Sequence, residues 1–303
     1  MRVTGLGQCC LDYLGLVESF PETDTKTEIL LWKEQGGGPV ATALVALSRL
    51  GASCRFYGVR GDDGAGEKIE ASLAGEKIDV GGLVTRRGAS SQEAFIAIER
   101  GTGTRTIFWK RATGEELREK ELGEDFLLGA DFLLLDGLMA EVSLLAARRA
   151  NELGIPVMLD AGRVRKGMLE IAALSDYLVA SGEFAADLGW DPSGGDLRRA
   201  AERFSCKAVT VTLGSRGSVT WDGRDMISVP AFEVDVADTT GAGDVFHGGY
   251  IFGLLKGWDI RRTVIFASAL AAMKCREIGG RSGIPGIAGV LAFLGERGYD
   301  YRV

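Results

Sequence analysis

One segment combines glycines with a carboxylate in a way that suits phosphoryl chemistry: Gly241-Ala242-Gly243 stands directly before Asp244. Apolar residues then follow at helical spacing as far as Gly257, which predicts that the glycines lie at a helix N-terminus. The first amides of a helix lack an intrahelical acceptor, and the helix dipole is positive at that end. Because small residues let a phosphate approach such amides, we predict an anion hole made by Gly241, Ala242 and Gly243.

Asp244 would face the same position from the first turn of this helix. A carboxylate there would repel a phosphate, and its chemical use is to accept the proton of an attacking hydroxyl group. The segment therefore predicts a kinase-like site with Asp244 as the base. A plainer interpretation stays open, in which Thr240 caps the helix and Asp244 only complements the helix dipole. His247, one turn later, fits a helix side chain with local hydrogen-bond partners better than a proton relay.

Two further glycine-rich turns stand where ligands bind in parallel sheets. Residues 36–39, Gly-Gly-Gly-Pro, open a predicted helix and place Thr42 one turn further on. A buried strand then breaks into a second glycine-rich turn, in which Thr212, Gly214 and Arg216 can meet nucleotide phosphates. Either turn alone can be structural. Because ligands bind beyond the carboxyl ends of parallel strands, the two together favour a nucleotide site.

The order of predicted elements indicates an α/β protein. Short β-type runs alternate with helical patterns through most of the chain, which predicts βαβ units around a mostly parallel sheet. Residues 11–34, above all 27–33, and residues 92–110 show alternating patterns instead, and the latter contain a glycine-rich hairpin turn. One small sheet inserted twice would form a lid or a subunit contact. We expect a core of residues 1–10, 36–90 and 112–303 and a discontinuous β-lid of residues 11–35 and 91–111.

Composition excludes several classes of function. The chain has 303 residues, 46% of them hydrophobic and 25% charged, as in a soluble globular protein. Its formal charge of −7 gives no reason to expect binding to nucleic acid or to an anionic membrane. Acidic residues interrupt the most apolar stretch, residues 126–145, so no membrane span is expected. Five cysteines without C-x-x-C spacing and no visible secretory signal favour reduced thiols and a cytoplasmic location.

Taken in chain order, these clusters resemble the ribokinase/PfkB family of carbohydrate kinases. Residues 37–51 look like its first signature, and residues 238–244, Asp-Thr-Thr-Gly-Ala-Gly-Asp, match its second. Residues 36–42, 244–248 and 274–285 look most like the branch that contains sulfofructose kinases and, more loosely, ketohexokinases. The resemblance covers essentially the whole chain. It implies a Rossmann-like αβα sandwich with a small β-sheet lid, a homodimer formed through that lid, and ATP-dependent, Mg²⁺-assisted phosphorylation of a sugar.

The resemblance also implies roles for individual residues, with Asp244 as the base. The residues that would face the sugar are Asp12, Gly37, Gly38 and Thr42. Those that would meet ATP are Thr212, Gly214 and Gly217 at the phosphates and Ala272 and Cys275 at the adenine. Glu183 would contact Mg²⁺ through water, and the resemblance allows a monovalent cation besides. Ala180 and Thr42 stand where the family has Asn, which bears on the Mg²⁺ and sugar contacts.

The acceptor is the least determined part of this prediction. A sugar with a sulfonate or phosphate group, such as sulfofructose or a sugar phosphate, needs Arg or Lys donors. Lys26 in the lid segment is a candidate, as are Lys110 and Arg163, whereas the strand that ends at Asp136 offers no cation near the expected sugar position. A neutral ketose or related sugar is therefore the preferred acceptor, with an anionic sugar second.

Two other classes of function remain open. A nucleoside kinase would share every residue on the ATP side, and a purine acceptor would need an aromatic stacking pair, for which Phe95 and Trp109 are candidates. A sugar-binding regulator would keep Asp12 and the glycines but would bind without turnover. The presence of Asp244 favours the enzyme over the regulator.

Overall fold

The computed structural model of the chain describes residues 1–192 and 195–301. The strands of this part are, in chain order, β1 (Arg2–Leu6), β2 (Cys10–Val17), β3 (Leu31–Gly37), β4 (Ser53–Gly61), β5 (Asp79–Arg86), β6 (Glu93–Glu99), β7 (Arg105–Lys110), β8 (Phe132–Leu135), β9 (Val157–Ala161), β10 (Tyr177–Ser181), β11 (Ala208–Thr212), β12 (Ser218–Trp221) and β13 (Met226–Val229). The helices are α1 (Pro39–Arg49), α2 (Gly64–Gly75), α3 (Ala140–Glu152), α4 (Met168–Ala172), α5 (Gly182–Asp187), α6 (Asp196–Phe204), α7 (Ala242–Leu255), α8 (Ile260–Lys274) and α9 (Ile287–Gly295). One-turn 3₁₀ segments lie at Glu119–Glu121 and Gly214–Arg216.

The larger sheet has the strand order β13-β12-β11-β10-β9-β8-β1-β4-β5. Its strands from β11 to β5 pair in parallel, and β12 and β13 add an antiparallel edge. Strand order reverses at β1, whose neighbours β4 and β8 come from different parts of the chain. This confirms the α/β fold with a mostly parallel sheet. In such sheets, ligands bind outside the carboxyl ends of the strands next to the reversal.

Both faces of the larger sheet are covered by helices. In β8 the side chains alternate: Phe132 and Leu134 join the buried cluster under α1, α2, α7, α8 and α9, and Leu133 and Leu135 join the cluster under α3, α4, α5 and α6. A strand buried on both faces reads as a continuous apolar run, which is why these four residues lack polar alternation. The αβα sandwich implied by the resemblance is confirmed.

The second sheet has the order β3-β2-β6-β7, with β2 and β6 parallel and the outer pairs antiparallel. The hairpin predicted between β6 and β7 is present, and Gly101 and Gly103 in its turn have φ angles of 84° and 64°. The strand expected at residues 27–33 lies further along the chain, because β3 runs from Leu31 to Gly37. Its extent follows from pairing with β2, in which Leu31 faces Leu16 and Gly37 faces Cys10.

The most apolar stretch of the sequence, residues 126–145, is divided between β8 and the first turns of α3. Among the helices that the structure describes, none is long and apolar enough to cross a bilayer. The five cysteines are free and buried, in agreement with the expectation of reduced thiols.

Candidate active site

A cavity of about 610 Å³ opens at the carboxyl ends of the parallel strands. From the larger sheet it is lined by Asp160, Ser181 and Thr212, at or next to the ends of β9, β10 and β11. The second sheet forms the opposite wall, to which Asp12 and Arg105 belong. The sequence segments that carry the chemistry are thus gathered between the two sheets.

The loop before α7 is held by a buried carboxylate. Asp238 accepts hydrogen bonds from the Thr240 amide (2.8 Å), the Thr240 hydroxyl (2.7 Å) and the Gly279 amide (2.8 Å). The Thr240 hydroxyl is therefore engaged by Asp238, and the N-cap of α7 is Gly241, so the interpretation of Thr240 as the cap is wrong. Gly241 has φ 74°, and a Cβ there would lie 2.8 Å from the carbonyl oxygen of Gly280. Only glycine fits this position.

Two of the three residues expected to form the anion hole reach the cavity wall. Gly241 and Gly243 line the cavity, and the amides of Gly243 and Asp244 lie in the first turn of α7, where no intrahelical acceptor exists. The Ala242 amide instead donates to the Thr239 carbonyl at 3.2 Å, and Ala242 is not among the lining residues. The prediction for Ala242 is corrected because this bond closes the turn that enters the helix.

Asp244 lies in the cavity wall on the first turn of α7. Burial and, to a smaller extent, the nearby Asp160 carboxylate raise the pKa of its carboxyl group to about 7, while His247 and Arg105 oppose the shift. A carboxylate with a pKa near neutrality is a stronger base than an exposed Asp and still loses its proton at physiological pH. The group expected to act as the base therefore lies in the cavity wall with a raised pKa, and its role stays a prediction.

Asp160 and His247 lie next to Asp244 in the same wall. The His247 Nε2 atom is 3.5 Å from Asp160 Oδ1 and 3.3 Å from the Val179 carbonyl oxygen, and its Nδ1 atom is 2.6 Å from the Gly243 carbonyl oxygen. Burial lowers the pKa of His247 and raises that of Asp160 to about 7. Main-chain carbonyls thus face both ring nitrogens, as expected for a locally bonded helix side chain.

The sugar-facing residues expected on β2 and β3 depend on one another. Asp12 on β2 is buried, accepts a hydrogen bond from the Cys10 thiol (3.0 Å), and has its pKa raised by burial. A Cβ at Gly37 would lie 2.0 Å from Asp12 Oδ2, so glycine at 37 is what leaves room for the carboxylate. Gly38 has φ 100° and lines the cavity together with Asp12. The structure therefore brings Asp12 and Gly38 to the cavity and gives Gly37 a spacing role.

Thr42 does not reach this cavity. Its side chain is 1% exposed, and its hydroxyl accepts a hydrogen bond from Arg281 Nε at 3.2 Å. The same guanidinium donates to the Gly37 carbonyl (3.0 Å) and the Ser72 hydroxyl (3.0 Å). The expectation that Thr42 faces the sugar is wrong, because Arg281, from a distant part of the chain, occupies its hydroxyl.

Asp136, at the end of β8, binds two main-chain amides beside the cavity. Its carboxylate accepts hydrogen bonds from the amides of Gln8 (2.7 Å) and Leu138 (3.0 Å), both of which line the cavity. Burial raises the pKa of Asp136 to about 7. As expected, this strand end carries no cation of its own.

Three arginines that the sequence reading missed line the cavity: Arg105, Arg111 and Arg165. Arg105 donates to the Thr239 hydroxyl at 2.7 Å, and the Arg111 guanidinium lies 4.5 Å from the centre of the Trp109 ring. The strand pattern of β7 could have predicted two of them, because every second residue of a strand shares one face. Residues 105, 107, 109 and 111 all line the cavity. Nothing local in the sequence pointed to Arg165.

The cations expected to recognise an anionic sugar lie elsewhere. Lys26 is exposed between β2 and β3, Lys110 pairs with Glu93 at 3.4 Å, and Arg163 pairs with Glu183 at 3.1 Å. None of the three lines the cavity. These predictions are corrected, and the physical reason for Lys110 is again strand alternation, which turns it away from the face that carries Trp109.

Only some of the residues predicted to bind the nucleotide and its Mg²⁺ line the cavity. Thr212 and Glu183 line the cavity, and the Thr212 hydroxyl donates to the Ala180 carbonyl at 3.3 Å. The residues outside this cavity wall are Gly214, Arg216, Gly217, Ala272 and Cys275. Gly217 closes a tight turn in which its carbonyl accepts from the Leu213 amide at 2.7 Å. Their expected ATP contacts stay predictions.

The aromatic pair considered for a purine cannot form. Phe95 pairs with Phe108 and stacks on it at 6.2 Å between ring centres, on the face of the second sheet that points away from the cavity. Trp109 lies opposite Ala94, which lines the cavity with it. Because successive strand residues point to opposite faces, Phe95 and Trp109 cannot enclose one base.

Comparison with known proteins agrees with this geometry. The model of the pfkB family of carbohydrate kinases matches residues 2–286. An ATP-dependent ribose-1-phosphate kinase of Halopiger xanaduensis is 29% identical over 98% of this chain and 99% of its own, and a ketohexokinase of Mus musculus is 24% identical over 94% and 98%. The crystal structure of a putative ribokinase from Agrobacterium tumefaciens superimposes with a TM-score of 0.89 at 26% identity, covering 99% of both chains.

Proposed function

Because this chain belongs to the PfkB family of carbohydrate kinases, we propose that it transfers the γ-phosphoryl group of ATP to a hydroxyl group of a sugar that carries a phosphate or similar anionic group. The chain is a phosphotransferase with an alcohol group as acceptor. The proposal for its acceptor depends on one observation: Asp244 and three arginines line the same cavity.

The transfer end of the site is proposed to work through α7. The amides of Gly241 and Gly243 at the positive end of the helix would donate to the oxygens of the transferred phosphoryl group. Asp244 would accept the proton of the attacking hydroxyl group as the new P–O bond forms and the bond to ADP breaks. Thr212 and Glu183 lie on the side of the cavity where the remaining phosphates of ATP would extend.

The residues of the chain fit a Mg²⁺ ion carried by ATP rather than a protein metal centre. Among the described residues no group of three or more His, Cys, Asp or Glu side chains could hold a metal ion. Mg²⁺ bound with a nucleotide keeps most of its ligands as phosphate oxygens and water, so one carboxylate such as Glu183 suffices. When bound, it neutralises charge on the phosphate oxygens. Arg163 holds the Glu183 carboxylate through Oε2 at 3.1 Å.

The acceptor is proposed to lie between Asp12 and the arginines. Asp12 would accept hydrogen bonds from sugar hydroxyl groups, and Arg111 and Arg165 would bind the anionic end. We place the anionic sugar before the neutral ketose because three guanidinium groups line the cavity and can donate charge-assisted hydrogen bonds to an anionic group. The neutral ketose stays the second candidate, and the ketohexokinase among the relatives supports it.

The second sheet is proposed to serve both as the lid and as the dimer contact. Its outer face carries a row of aromatic rings, in which Trp32 lies 6.0 Å from Tyr13 and 5.7 Å from Phe95 between ring centres. Trp32 is 56% exposed and Phe108 is 54% exposed. Exposed apolar surface of this extent is typical of an interaction site, and we propose that a second copy of the chain covers it.

One screen tests the proposal. ADP release is measured with ATP, Mg²⁺ and a panel of pentose and hexose phosphates, a sulfosugar, neutral ketoses and aldoses, and nucleosides. We expect kcat/KM for at least one phosphorylated or sulfonated sugar to exceed that of its neutral parent by about a hundredfold, as for a pair of charge-assisted hydrogen bonds. Equal or higher kcat/KM with a neutral ketose would favour the second candidate, and turnover confined to nucleosides would overturn the proposal.

A further inference from the structure

The C-terminal residue of α8 is a lysine with no exposed surface. Lys274 is 0% exposed, and its Nζ atom donates to the main-chain carbonyl of Asp238 at 2.8 Å. Burying an ammonium group costs several kcal/mol unless it is paired, so an uncompensated lysine would not be retained at such a place for packing alone. The groups around Lys274 therefore have to compensate its charge.

The partner of Lys274 is the main-chain carbonyl of Asp238, the residue whose carboxylate holds the anion-hole loop. The Asp238 side chain is 0% exposed and gathers the amides of Thr240 and Gly279 together with the Thr240 hydroxyl. Burial lowers the pKa of Lys274, and the carboxylates of Asp238 and Asp244 act in the opposite direction. Lys274 thus lies within the electrostatic reach of both Asp238 and the proposed base.

The loop is attached to α8 at two points. The carbonyl of Cys275 accepts from the amides of Ala237 (2.8 Å) and Asp238 (3.2 Å), while Lys274 holds the Asp238 carbonyl. Gly241, three residues further on, has the left-handed φ of 74° that turns the chain into α7. A shift of the Asp238 peptide would therefore move the amides that face the cavity, and misplacement by 1 Å is enough to cost about a hundredfold in rate.

We propose that Lys274 is a positioning residue for phosphoryl transfer, whose buried ammonium group fixes the Asp238 peptide and supplies a positive charge behind the anion hole. This inference rests on the proposed function, because it concerns the rate of that reaction.

The test combines truncation with chemical rescue. Lys274→Ala removes the ammonium group and three methylene groups, a space that n-propylammonium can fill. Lys256→Ala is the matched control, since Lys256 is an exposed lysine at the end of the neighbouring α7. Circular dichroism first shows whether each variant is folded, and ADP release is then measured with n-propylammonium chloride or, at equal ionic strength, tetramethylammonium chloride, which has no N–H donor.

We expect kcat of Lys274→Ala to fall about a hundredfold while the KM for ATP changes less than about threefold. We further expect n-propylammonium to restore kcat at least tenfold, tetramethylammonium to restore none, and neither salt to affect the wild type or Lys256→Ala. A folded Lys274→Ala variant with wild-type kcat, or one that no ammonium ion restores, would overturn the proposal. If the wild type itself releases no ADP with any acceptor, the proposed function fails instead.

A second measurement uses the wild-type chain, so the proposal stays open to refutation if the variant does not fold. Nitrogen-15 NMR of lysine Nζ distinguishes an ammonium group from a neutral amine and detects slow exchange of its protons. We expect a protonated, slowly exchanging Lys274 signal at pH 7, assigned by its loss in Lys274→Arg. A neutral Lys274 amine at pH 7 would contradict the fixed charge.

Discussion

The two ends of the cavity are built in opposite ways. The proposed transfer end is centred on one continuous segment, residues 238–244, in which the Asp238 carboxylate accepts from the Thr240 amide and hydroxyl group. The acceptor end is assembled from separate segments, with Asp12 from β2, Arg105 and Arg111 from or next to β7, and Arg165 from the loop after β9. Chemistry that depends on one local geometry is thus encoded locally, whereas recognition of the acceptor depends on how distant elements pack.

The two ends also differ in charge. Around Asp244, burial raises the pKa of carboxyl groups, and Asp160 shows the same shift. At the proposed acceptor end, three arginine side chains line the wall together with Asp12. Changes at the first end should therefore alter kcat with every acceptor, and changes at the second should alter KM and only for acceptors with an anionic group.

Removing the base should have the largest effect. Asp244→Asn keeps the shape of the side chain but cannot accept the proton, so we expect kcat to fall by about 10²–10⁴-fold with all acceptors, the range for general base catalysis. ADP release measures kcat, and isothermal titration measures ATP affinity, which should change little. Full activity of Asp244→Asn would show that Asp244 is not the base. The proposed difference between the two ends, in which only changes at the transfer end lower kcat, would then fail.

Neutralising an acceptor-side arginine should have a smaller and selective effect. For Arg111→Gln we expect the KM for a phosphorylated acceptor to rise about tenfold to a hundredfold, the cost of a lost charge-assisted hydrogen bond, with kcat changed less than about threefold. Lys110→Gln is the matched control, because this neighbour points to the other face of the strand and pairs with Glu93. The same rise with a neutral sugar, or in Lys110→Gln, would mean that Arg111 does not read the anion.

Acidification should weaken the transfer end over a defined range. The pKa of Asp244 is raised to about 7 and the deprotonated form is the base, so kcat/KM should be level above pH 7 and fall about tenfold per pH unit below it. Steady-state rates between pH 5 and 9 measure this profile. A fall that begins only below pH 5 would indicate an ordinary carboxyl group.

The same pKa shifts give a sign for stability. A carboxyl group whose pKa is raised by folding holds its proton more tightly in the native state, so the free energy of unfolding should decrease as pH rises from about 4, the ordinary value for Asp, to about 7. Urea unfolding at pH 5 and pH 8 measures the difference. Greater stability at pH 8 than at pH 5 would contradict the shifts.

The outer face of the second sheet should matter least for the chemistry. Trp32→Ser together with Phe108→Ser removes two exposed rings, and we expect the dimer to dissociate with kcat per chain changed less than about threefold. Sedimentation equilibrium at micromolar concentrations measures the mass. Leu128→Ser, which changes a 69% exposed residue elsewhere, is the control. A wild-type chain that sediments as a monomer would contradict the proposed contact.

Several features of the fold could be predicted from local pattern. The run Phe132–Leu135 and the turn at residues 100–103 both form the elements expected, because burial on two faces and glycine turn chemistry are local requirements. The start of β3 could not be predicted, since its extent is set by pairing with β2. The site follows the same rule: the position of Asp244 at the start of α7 could be predicted, while the hydrogen bond from Arg281 to Thr42 could not.

By itself the sequence determined the alternation of strands and helices, the glycine turn before α7 and the carboxylate that follows it, because each depends on residues within a few positions of one another. Only the tertiary structure decided which cationic side chains line the cavity, and that Phe95 and Trp109 lie on opposite faces of the second sheet. It also decided that the Thr42 hydroxyl is hydrogen-bonded to Arg281 and that the Ala242 amide donates to the Thr239 carbonyl. The physical reason is that strand pairing fixes the direction in which a side chain points, and that its partners can come from distant parts of the chain. The hydrogen bond that Arg281 donates to Thr42 is an example.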